Sequence, residues 1–349
     1  MIAERLDAQL LSGPPAGDPE SVALRLLAIQ AQDPRGARLA IRARSVVRSA
    51  AEVDRALTEE RSLLISSLNR GTLHLVRSED YPWLQALTTP PLRRANARRL
   101  AQEGVTPSAA ERGAGVIEHA LAEEGPLTRV QLRERIARAG VRTEGQALVH
   151  LLMLACLRGI AVRGPMIGRE HAYALVRDWL GSSPSVDRDR ALAELARRYL
   201  AGHGPADDRD LAKWAGVKLG DARAGLAAIA SELVPAGNGR VALARRAIAK
   251  ELTSPAPRLL GAFDPVLMGW RSREPILAPH EPAVVSGGIF RPFALVRGRA
   301  AATWRMAAGE VRLEPLSALA AEHASALDAD AREVVRYLAA TRASPMIDA

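Results

Sequence analysis

The first helix of the chain is predicted by a polar start followed by a regular apolar stripe. Asp18 can accept hydrogen bonds from the free amides of a first helical turn, and Pro19 has the backbone angle of a first helical position. Apolar residues then recur every three or four positions, at Val22, Leu26 and Ile29. The pattern predicts a helix that runs to about Ala31.

A second start of the same kind follows at Asp33-Pro34. Because proline disfavours helical geometry in the residue before it, the first helix should end near Gln32, and a second should run from Pro34 through Arg48. This second helix carries a stripe of basic side chains at spacings of three and four residues, formed by Arg35, Arg38 and Arg42.

The elements that follow have the order of a winged helix, which is three helices and then a two-stranded ribbon. A third helix is predicted over Glu52–Arg61, and a hairpin over Leu63–Val76 with its turn at 69–71. The order then recurs twice. The second set is Glu111–Glu123, Thr128–Ala139, Glu144–Arg158 and the hairpin Ile160–Val176 with its tip at Gly164–Gly168, and the third is Arg188–Ala201, Asp208–Ala215, Leu219–Ala230 and the hairpin Glu232–Leu243 turning at Gly237–Gly239.

After Pro255 the pattern changes to short β-prone runs broken by glycine and proline, which predicts a small β domain. One or two amphipathic helices within Ser317–Arg342 close the chain. The predicted fold is mainly α with β, in four segments: 1–106, which holds the first winged helix, 107–184 and 185–254, which hold the second and third, and 255–349, the β domain with its closing helices.

The charge balance indicates a polyanionic partner. The chain has 48 basic and 39 acidic residues and a formal net charge of +9. Only Lys213, Lys218 and Lys250 are lysines, so the positive charge is almost entirely arginine, which can bind phosphate through two parallel hydrogen bonds. A codon bias toward arginine and alanine explains the same composition.

Several function classes lack their motifs. No two of the seven histidines are four residues apart on one helix, and Cys156 is the only cysteine, so we expect neither a metal site nor a disulfide. Neither a phosphate-binding loop nor a serine-hydrolase elbow occurs. No run approaches the roughly 20 apolar residues of a membrane span, and a cytoplasmic protein without cofactor is expected.

The end of the first predicted helix holds two glutamines separated by one residue, Gln30 and Gln32. On a regular helix such residues point about 200° apart, so their amides could not meet at one substrate atom. The helix must end here, however, and in an extended backbone such a pair shares one face. Both amides would then converge beside the arginine stripe. Alternatively, they are two polar residues that end a surface helix.

The first hairpin presents a second set of polar candidates. Successive residues of a strand point to opposite faces, so Thr72 and His74 share the face opposite Leu73 and Leu75. We expect the leucines to lie in the core and the polar pair to face a cleft near the glutamines. A solvated polar face explains the same alternation.

Three blocks of the sequence together resemble the winged-helix DNA glycosylases that unhook DNA crosslinks and excise bulky alkylguanine adducts. The blocks occur in the family's order and extend the resemblance over essentially the whole chain: Gln30–Gln32 with the following Asp-Pro, Arg70–Leu75, and Gly287–Pro292 through Thr303–Arg305. The resemblance implies three tandem winged helices and a β-barrel that form a concave basic surface.

The family's catalytic motif is glutamine, an aliphatic residue, and then glutamine or aspartate. It matches Gln30, Ala31 and Gln32, so the resemblance implies that Gln30 and Gln32 are catalytic. A glutamine in the second place puts the chain nearer the antibiotic self-resistance branch than the branch with aspartate.

The implied partner is double-stranded DNA carrying alkylated guanine, bound by a monomer without metal or membrane. The side chains predicted to contact the DNA are Arg35, Arg38, Arg42, Arg70, Thr72, His74 and Arg291. The first predicted unit contains no lysine that could form a Schiff base and cut the strand, so base excision should leave an intact abasic site.

Glutamine cannot act as a general base, so the chemistry must not need a strong one. An N7-alkylated guanine already carries positive charge, and our hypothesis is that the carbonyls of Gln30 and Gln32 orient a water at the anomeric carbon. Asp33 could serve as a base, but a helix-cap role is favoured. Two rival readings are a non-catalytic winged-helix protein that binds DNA or regulates transcription, and a protein-interaction scaffold without DNA affinity.

Overall fold

The computed structural model describes residues 1–182, 185–246 and 254–339. The helices, in chain order, are α1 Ile2–Ala8, α2 Pro19–Leu26, α3 Pro34–Arg42, α4 Ala50–Thr58, α5 Tyr81–Thr88, α6 Pro90–Gln102, α7 Pro107–Glu124, α8 Arg129–Arg138, α9 Ala147–Leu157, α10 Val176–Leu180, α11 Arg188–His203, α12 Asp208–Ala215, α13 Leu219–Ala228, α14 Pro265–Met268, α15 Glu274–Leu277, α16 Glu281–Val284 and α17 Ala321–Ala339.

The strands are β1 Ile29–Gln30, β2 Leu63–Ser67, β3 Leu73–Arg77, β4 Ala161–Ile167, β5 Glu170–Leu175, β6 Leu233–Pro235, β7 Val241–Leu243, β8 Arg258–Leu260, β9 Val285–Ser286, β10 Ile289–Phe290, β11 Phe293–Val296, β12 Arg299–Ala307 and β13 Glu310–Pro315. The chain is mainly helical with antiparallel strands, which confirms the predicted mixture of α and β structure.

The chain forms two compact units. The first comprises Met1–Val53, Leu192–Trp214 and Lys218–Ala349, and the second comprises Asp54–Ala191 and Ala215–Val217. The organisation into four segments stays a prediction.

In the first unit, α2 begins where the sequence predicts but ends five residues early. The carboxylate of Asp18 accepts a hydrogen bond of 2.6 Å from the amide of Ser21, which caps the helix. Leu27 then takes a left-handed backbone angle, with φ of 65° and its side chain buried, so the helix ends at Leu26 instead of near Ala31. Likewise α3 ends at Arg42 and not at Arg48.

In the second unit, the predicted first hairpin is confirmed. Strand β2 pairs antiparallel with β3 in a register from Leu63 opposite Arg77 to Ser67 opposite Leu73, and a 3-10 turn at Asn69–Gly71 connects them. Strand β2 also pairs with β4, and β4 with β5. The tip of this second hairpin lies beyond Ile167, later than predicted. Helices α7, α8 and α9 pack around one apolar core beside β5.

The third predicted set corresponds to α11, α12 and α13, followed by the antiparallel pair β6 and β7 in the first unit. Farther along, β8, β11, β12 and β13 form a four-stranded antiparallel sheet in the order β13–β12–β11–β8. Helix α17 packs against both edge strands, β8 and β13. Within the described residues this sheet stays open, so the expected barrel-like closure is not found. The residues 340–342 of the predicted closing helix lie outside the described residues.

A fully buried ion pair joins distant parts of the first unit. The guanidinium of Arg44, just after α3, donates to both carboxylate oxygens of Asp264 over 2.6 and 2.9 Å, and neither side chain is exposed. Arg44 also donates to the carbonyl and the side-chain oxygen of Gln9, and the Gln9 amide donates to the backbone oxygen of Gly202 in α11. One charged network thus connects α1, α3, α11 and the start of α14.

Replacing Asp264 with alanine should destabilise the fold by about 3–5 kcal/mol, because the charge of Arg44 would remain buried without its partner. Urea unfolding of the full chain measures this. The matched control is Glu314→Ala, which removes a carboxylate from the exposed ion pair with Arg305 and should cost no more than about 1 kcal/mol.

If Asp264→Ala does not fold at all, Arg44→Met combined with Asp264→Leu separates charge from shape, because replacing both partners by apolar residues should restore most of the stability. An Asp264→Ala protein that unfolds at the wild-type urea concentration contradicts the assignment.

Candidate active site

The two candidate catalytic glutamines lie on the short connection between α2 and α3. After the left-handed residue Leu27 the backbone is extended through β1, so Gln30 belongs to a strand and not to a helix end. Gln30 is only 5% exposed, whereas Gln32 is exposed. The extended backbone agrees with the expectation for this segment, and the convergence of both amides on one substrate atom stays a prediction.

Two close backbone contacts hold this connection from both sides. A Cβ atom on Gly202 of α11 would lie 2.3 Å from the carbonyl oxygen of Arg25, which precedes the last residue of α2. A Cβ atom on Gly36 in the first turn of α3 would lie 2.3 Å from the carbonyl oxygen of Ala262. Only glycine permits either approach, so both helices that flank the glutamines are packed at backbone distance. The sequence carries no local signal for these contacts.

Asp33 caps α3. Its carboxylate accepts a hydrogen bond of 3.0 Å from the backbone amide of Arg35, and Pro34 occupies the first helical position. The cap role favoured from the sequence is therefore confirmed.

The three predicted arginines share α3 but not its exposed side. Arg35 is exposed. Arg38 is only 6% exposed, and its Nη1 donates to the carbonyl oxygen of Pro34 over 2.9 Å. The side chain of Arg42 is mostly buried in an ion pair of 2.7 Å with Asp330 of α17. The regular spacing alone does not show this difference in exposure.

Contacts with helix α17 account for the difference in exposure among the arginines of α3. Besides the Asp330 carboxylate on Arg42, it contributes Tyr337, whose hydroxyl donates to the backbone oxygen of Arg38 over 2.9 Å. These residues lie almost 300 positions along the chain from α3. Sequence reasoning missed them because no periodicity links two elements that are so far apart.

The polar candidates on the first hairpin belong to the second unit. Arg70 has a left-handed backbone with φ of 58°, and with Gly71 it forms the turn. The hydroxyl of Thr72 donates to the backbone oxygen of Asn69, whose own side chain is fully buried. Leu75 is buried as expected, whereas Leu73 is only partly buried.

His74 is buried rather than presented to solvent. It is 2% exposed, and its Nδ1 lies 2.9 Å from the carbonyl oxygen of Thr72. A carbonyl only accepts, so Nδ1 carries the proton and Nε2 does not. Burial, assisted by the nearby charge of Arg70, lowers the pKa of His74 to about 3. Because the unfolded chain takes up this proton near pH 6.5, acid destabilises the fold between about pH 6.5 and 3.

Arg291 follows β10 in the first unit. Its side chain is exposed, and its backbone amide donates to the carbonyl oxygen of Val284 over 2.8 Å. Gln30, Gln32, the arginines of α3 and Arg291 thus share one unit, and the hairpin candidates lie in the other.

Among the described residues, no group of His, Cys, Asp and Glu side chains could hold a metal ion. No described helix is long and apolar enough to span a membrane.

Comparison with known proteins identifies the fold and the family. A DNA glycosylase of Streptomyces sahachiroi, AlkZ, has a similar solved structure, with a TM-score of 0.76 at 24% identity over 96% of this chain and 95% of the other. No protein of curated function matches the sequence. The family model for AlkZ-like DNA glycosylases matches residues 23–337. The chain belongs to the AlkZ-like DNA glycosylase family.

Proposed function

We propose that this protein hydrolyses the N-glycosidic bond of N7-alkylated guanine in double-stranded DNA and leaves an intact abasic site. Bulky adducts and crosslinks are the substrates that we favour. The observation that carries the proposal is the extended segment of Gln30 and Gln32, held between α2 and a capped α3 in a chain of this family.

We further propose that the chain binds DNA through three winged-helix units. In each set, three helices precede an antiparallel strand pair: α2 to α4 before β2 and β3, α7 to α9 before β4 and β5, and α11 to α13 before β6 and β7. This order supports the proposal, because it is the order of a helix-turn-helix with its wing.

The chemistry of neutral amides suits a cationic leaving group. An N7-alkylated guanine leaves as a neutral base, so it needs no acid to protonate it. The remaining requirements are a positioned water and an environment that tolerates positive charge developing on the sugar. The carbonyl oxygens of Gln30 and Gln32 are acceptors that can orient such a water without themselves titrating.

The proposed cleavage ends at base removal. A glycosylase that also cuts the strand uses an amine to form a Schiff base with the sugar. The three lysines of the chain all follow position 212, so none lies near the glutamines in sequence. This distribution supports a monofunctional enzyme.

The proposed contacts to DNA differ in how readily they could form. Arg35 and Arg291 are exposed and can contact a phosphate without first breaking an interaction within the described part of the protein. Arg70 and Thr72 lie at the partly exposed turn of the first hairpin. Two further contacts need a local rearrangement, because Arg42 would have to leave Asp330 and Arg38 would have to leave Pro34. The imidazole of His74 would contact DNA only as a neutral group.

Replacing Gln30 or Gln32 with alanine should slow base release about 10²-fold or more, the effect of losing one preorganised amide. The measurement is a single-turnover reaction on a duplex with one N7-methylguanine, in which hot alkali converts abasic sites into strand breaks. Binding to undamaged duplex, measured in parallel, should stay at the wild-type level.

If wild type leaves N7-methylguanine intact, the same test is repeated on a bulky natural-product adduct. Failure on both substrates, with DNA binding retained, would favour the non-catalytic DNA-binding protein. A protein without DNA affinity would favour the interaction scaffold.

Substituting Asp33→Asn should leave the rate of base release within a few-fold of wild type. Asparagine caps a helix about as well as aspartate, so the substitution removes the charge and retains the hydrogen bond to the Arg35 amide. Loss of activity in a folded Asp33→Asn protein would instead identify Asp33 as the base.

The rate of base release should be independent of pH between about pH 5 and 7, the interval in which an ordinary histidine changes charge. The glutamines do not titrate, and with a pKa of about 3 the imidazole of His74 stays neutral throughout this interval. Single-turnover rates at fixed ionic strength measure this. A rate that falls with a midpoint near pH 6.5 would show that a histidine with an ordinary pKa takes part.

A further inference from the structure

Helix α6 concentrates positive charge without any acidic residue. Its 13 residues, Pro90–Gln102, include Arg93, Arg94, Arg98 and Arg99 and no aspartate or glutamate. Of the described helices that contain arginine, only α3 shares this composition. In α3, however, one arginine is buried and another is paired with Asp330.

Two of the four arginines, Arg94 and Arg98, occupy the side of α6 that does not pack. Leu92, Asn96 and Leu100 follow each other at intervals of four and form the inner stripe, with Asn96 and Leu100 buried. Arg94 and Arg98 lie two positions from these residues, which on a helix is a rotation of about 200°. They therefore point away from the packed stripe, and both are exposed.

Among the described residues, no carboxylate pairs with the arginines of this surface. Arg93 donates to the backbone oxygen of Leu157, and Arg99 donates to the amide oxygen of Gln102. In the part of the chain that the structure describes, none of the four arginines forms an ion pair. Elsewhere in the same unit Arg135 and Arg158 are each paired with a glutamate. The lack of ion pairs on α6 within the described residues is therefore not a general property of that unit.

The helix is fixed to the unit beneath it. The Asn96 side chain donates to the backbone oxygen of His150 over 3.0 Å and lies 3.0 Å from the His150 ring nitrogen Nδ1. Together with the bond from Arg93 to Leu157, the last residue of α9, these contacts attach α6 to α9. A charged face on a fixed helix loses little backbone freedom on binding, which favours its use as a contact surface.

We propose that α6 is an additional DNA-binding element, in which Arg94 and Arg98 bind phosphates of the DNA backbone. The two residues are one helical turn apart, a rise of about 6 Å, so their guanidinium groups can reach neighbouring phosphates of one strand. The identification of the polyanion as DNA rests on the proposed function. The remainder of the argument is the complementarity between the positive charge of α6 and the negative charge of the phosphates.

The test compares two double variants that remove the same charge from the same unit. Arg94→Gln with Arg98→Gln alters the proposed surface. Arg112→Gln with Arg133→Gln is the control, because both arginines are exposed on α7 and α8 and neither forms an ion pair within the described residues. Glutamine retains helix propensity, and far-ultraviolet circular dichroism verifies the fold of each variant.

Affinity for an undamaged 20-base-pair duplex is measured by fluorescence anisotropy across a range of salt concentrations. Each lost phosphate contact lowers the slope of log K against log salt by about 0.9, so the α6 variant should lose about 1.8 and the control variant should keep the wild-type slope. Equal slopes in the two variants, whether both unchanged or both reduced, would overturn the proposal.

Base release from N7-methylguanine distinguishes this inference from the proposed function. An α6 variant with a reduced slope, in a protein whose wild type releases no base, would support the DNA-binding surface and reject the reaction. A wild type that releases base, with an α6 variant whose slope is unchanged, would reject the surface alone.

Discussion

The buried pair between Arg44 and Asp264 is the interaction on which the rest of the first unit depends. Two charges without solvent exposure are tolerated only when their hydrogen bonds are satisfied, and here the guanidinium donates to Asp264, to Gln9 and to a carbonyl of α3. The network joins segments that lie about 220 residues apart in the sequence. It therefore determines where the end of α3 lies relative to the residues that precede α14.

That constraint reaches the candidate catalytic residues through backbone packing. Helix α3 follows directly after Gln32, and its first turn touches Ala262, two residues before Asp264. The end of α2 touches Gly202 in α11, which also accepts from Gln9. The short connection between the two helices is thus held at both ends by the same set of elements. Such a framework favours catalysis by preorganised neutral groups, since their contribution depends on accurate placement.

Electrostatically, the two candidate regions are less charged than the arginine content of the chain suggests. The pKa of His74 lies near 3, so its ring is neutral, and both glutamines are neutral by nature. On α3, one cation is neutralised by Asp330 and another is buried. The exposed arginines that form no ion pair within the described residues include Arg35 and those of α6. This separation of the proposed reactive groups, which are neutral, from the proposed contact groups, which are cationic, suits the proposed substrate, a cationic base on an anionic backbone.

Local chemistry by itself determined several features. The caps at Asp18 and Asp33, the turn at Asn69–Gly71 and the hairpin around it follow from short-range hydrogen bonding and turn preferences, and three blocks of residues were enough to indicate the family. Only the tertiary structure decided that α2 ends at Leu26 and that Arg38 and His74 are buried. It also decided that the C-terminal sheet, as far as the structure describes it, stays open and packs against α17. Packing between elements far apart in the chain, such as Gly202 against Arg25 and Tyr337 against the backbone of Arg38, overrides local preference without leaving a periodic signal in the sequence.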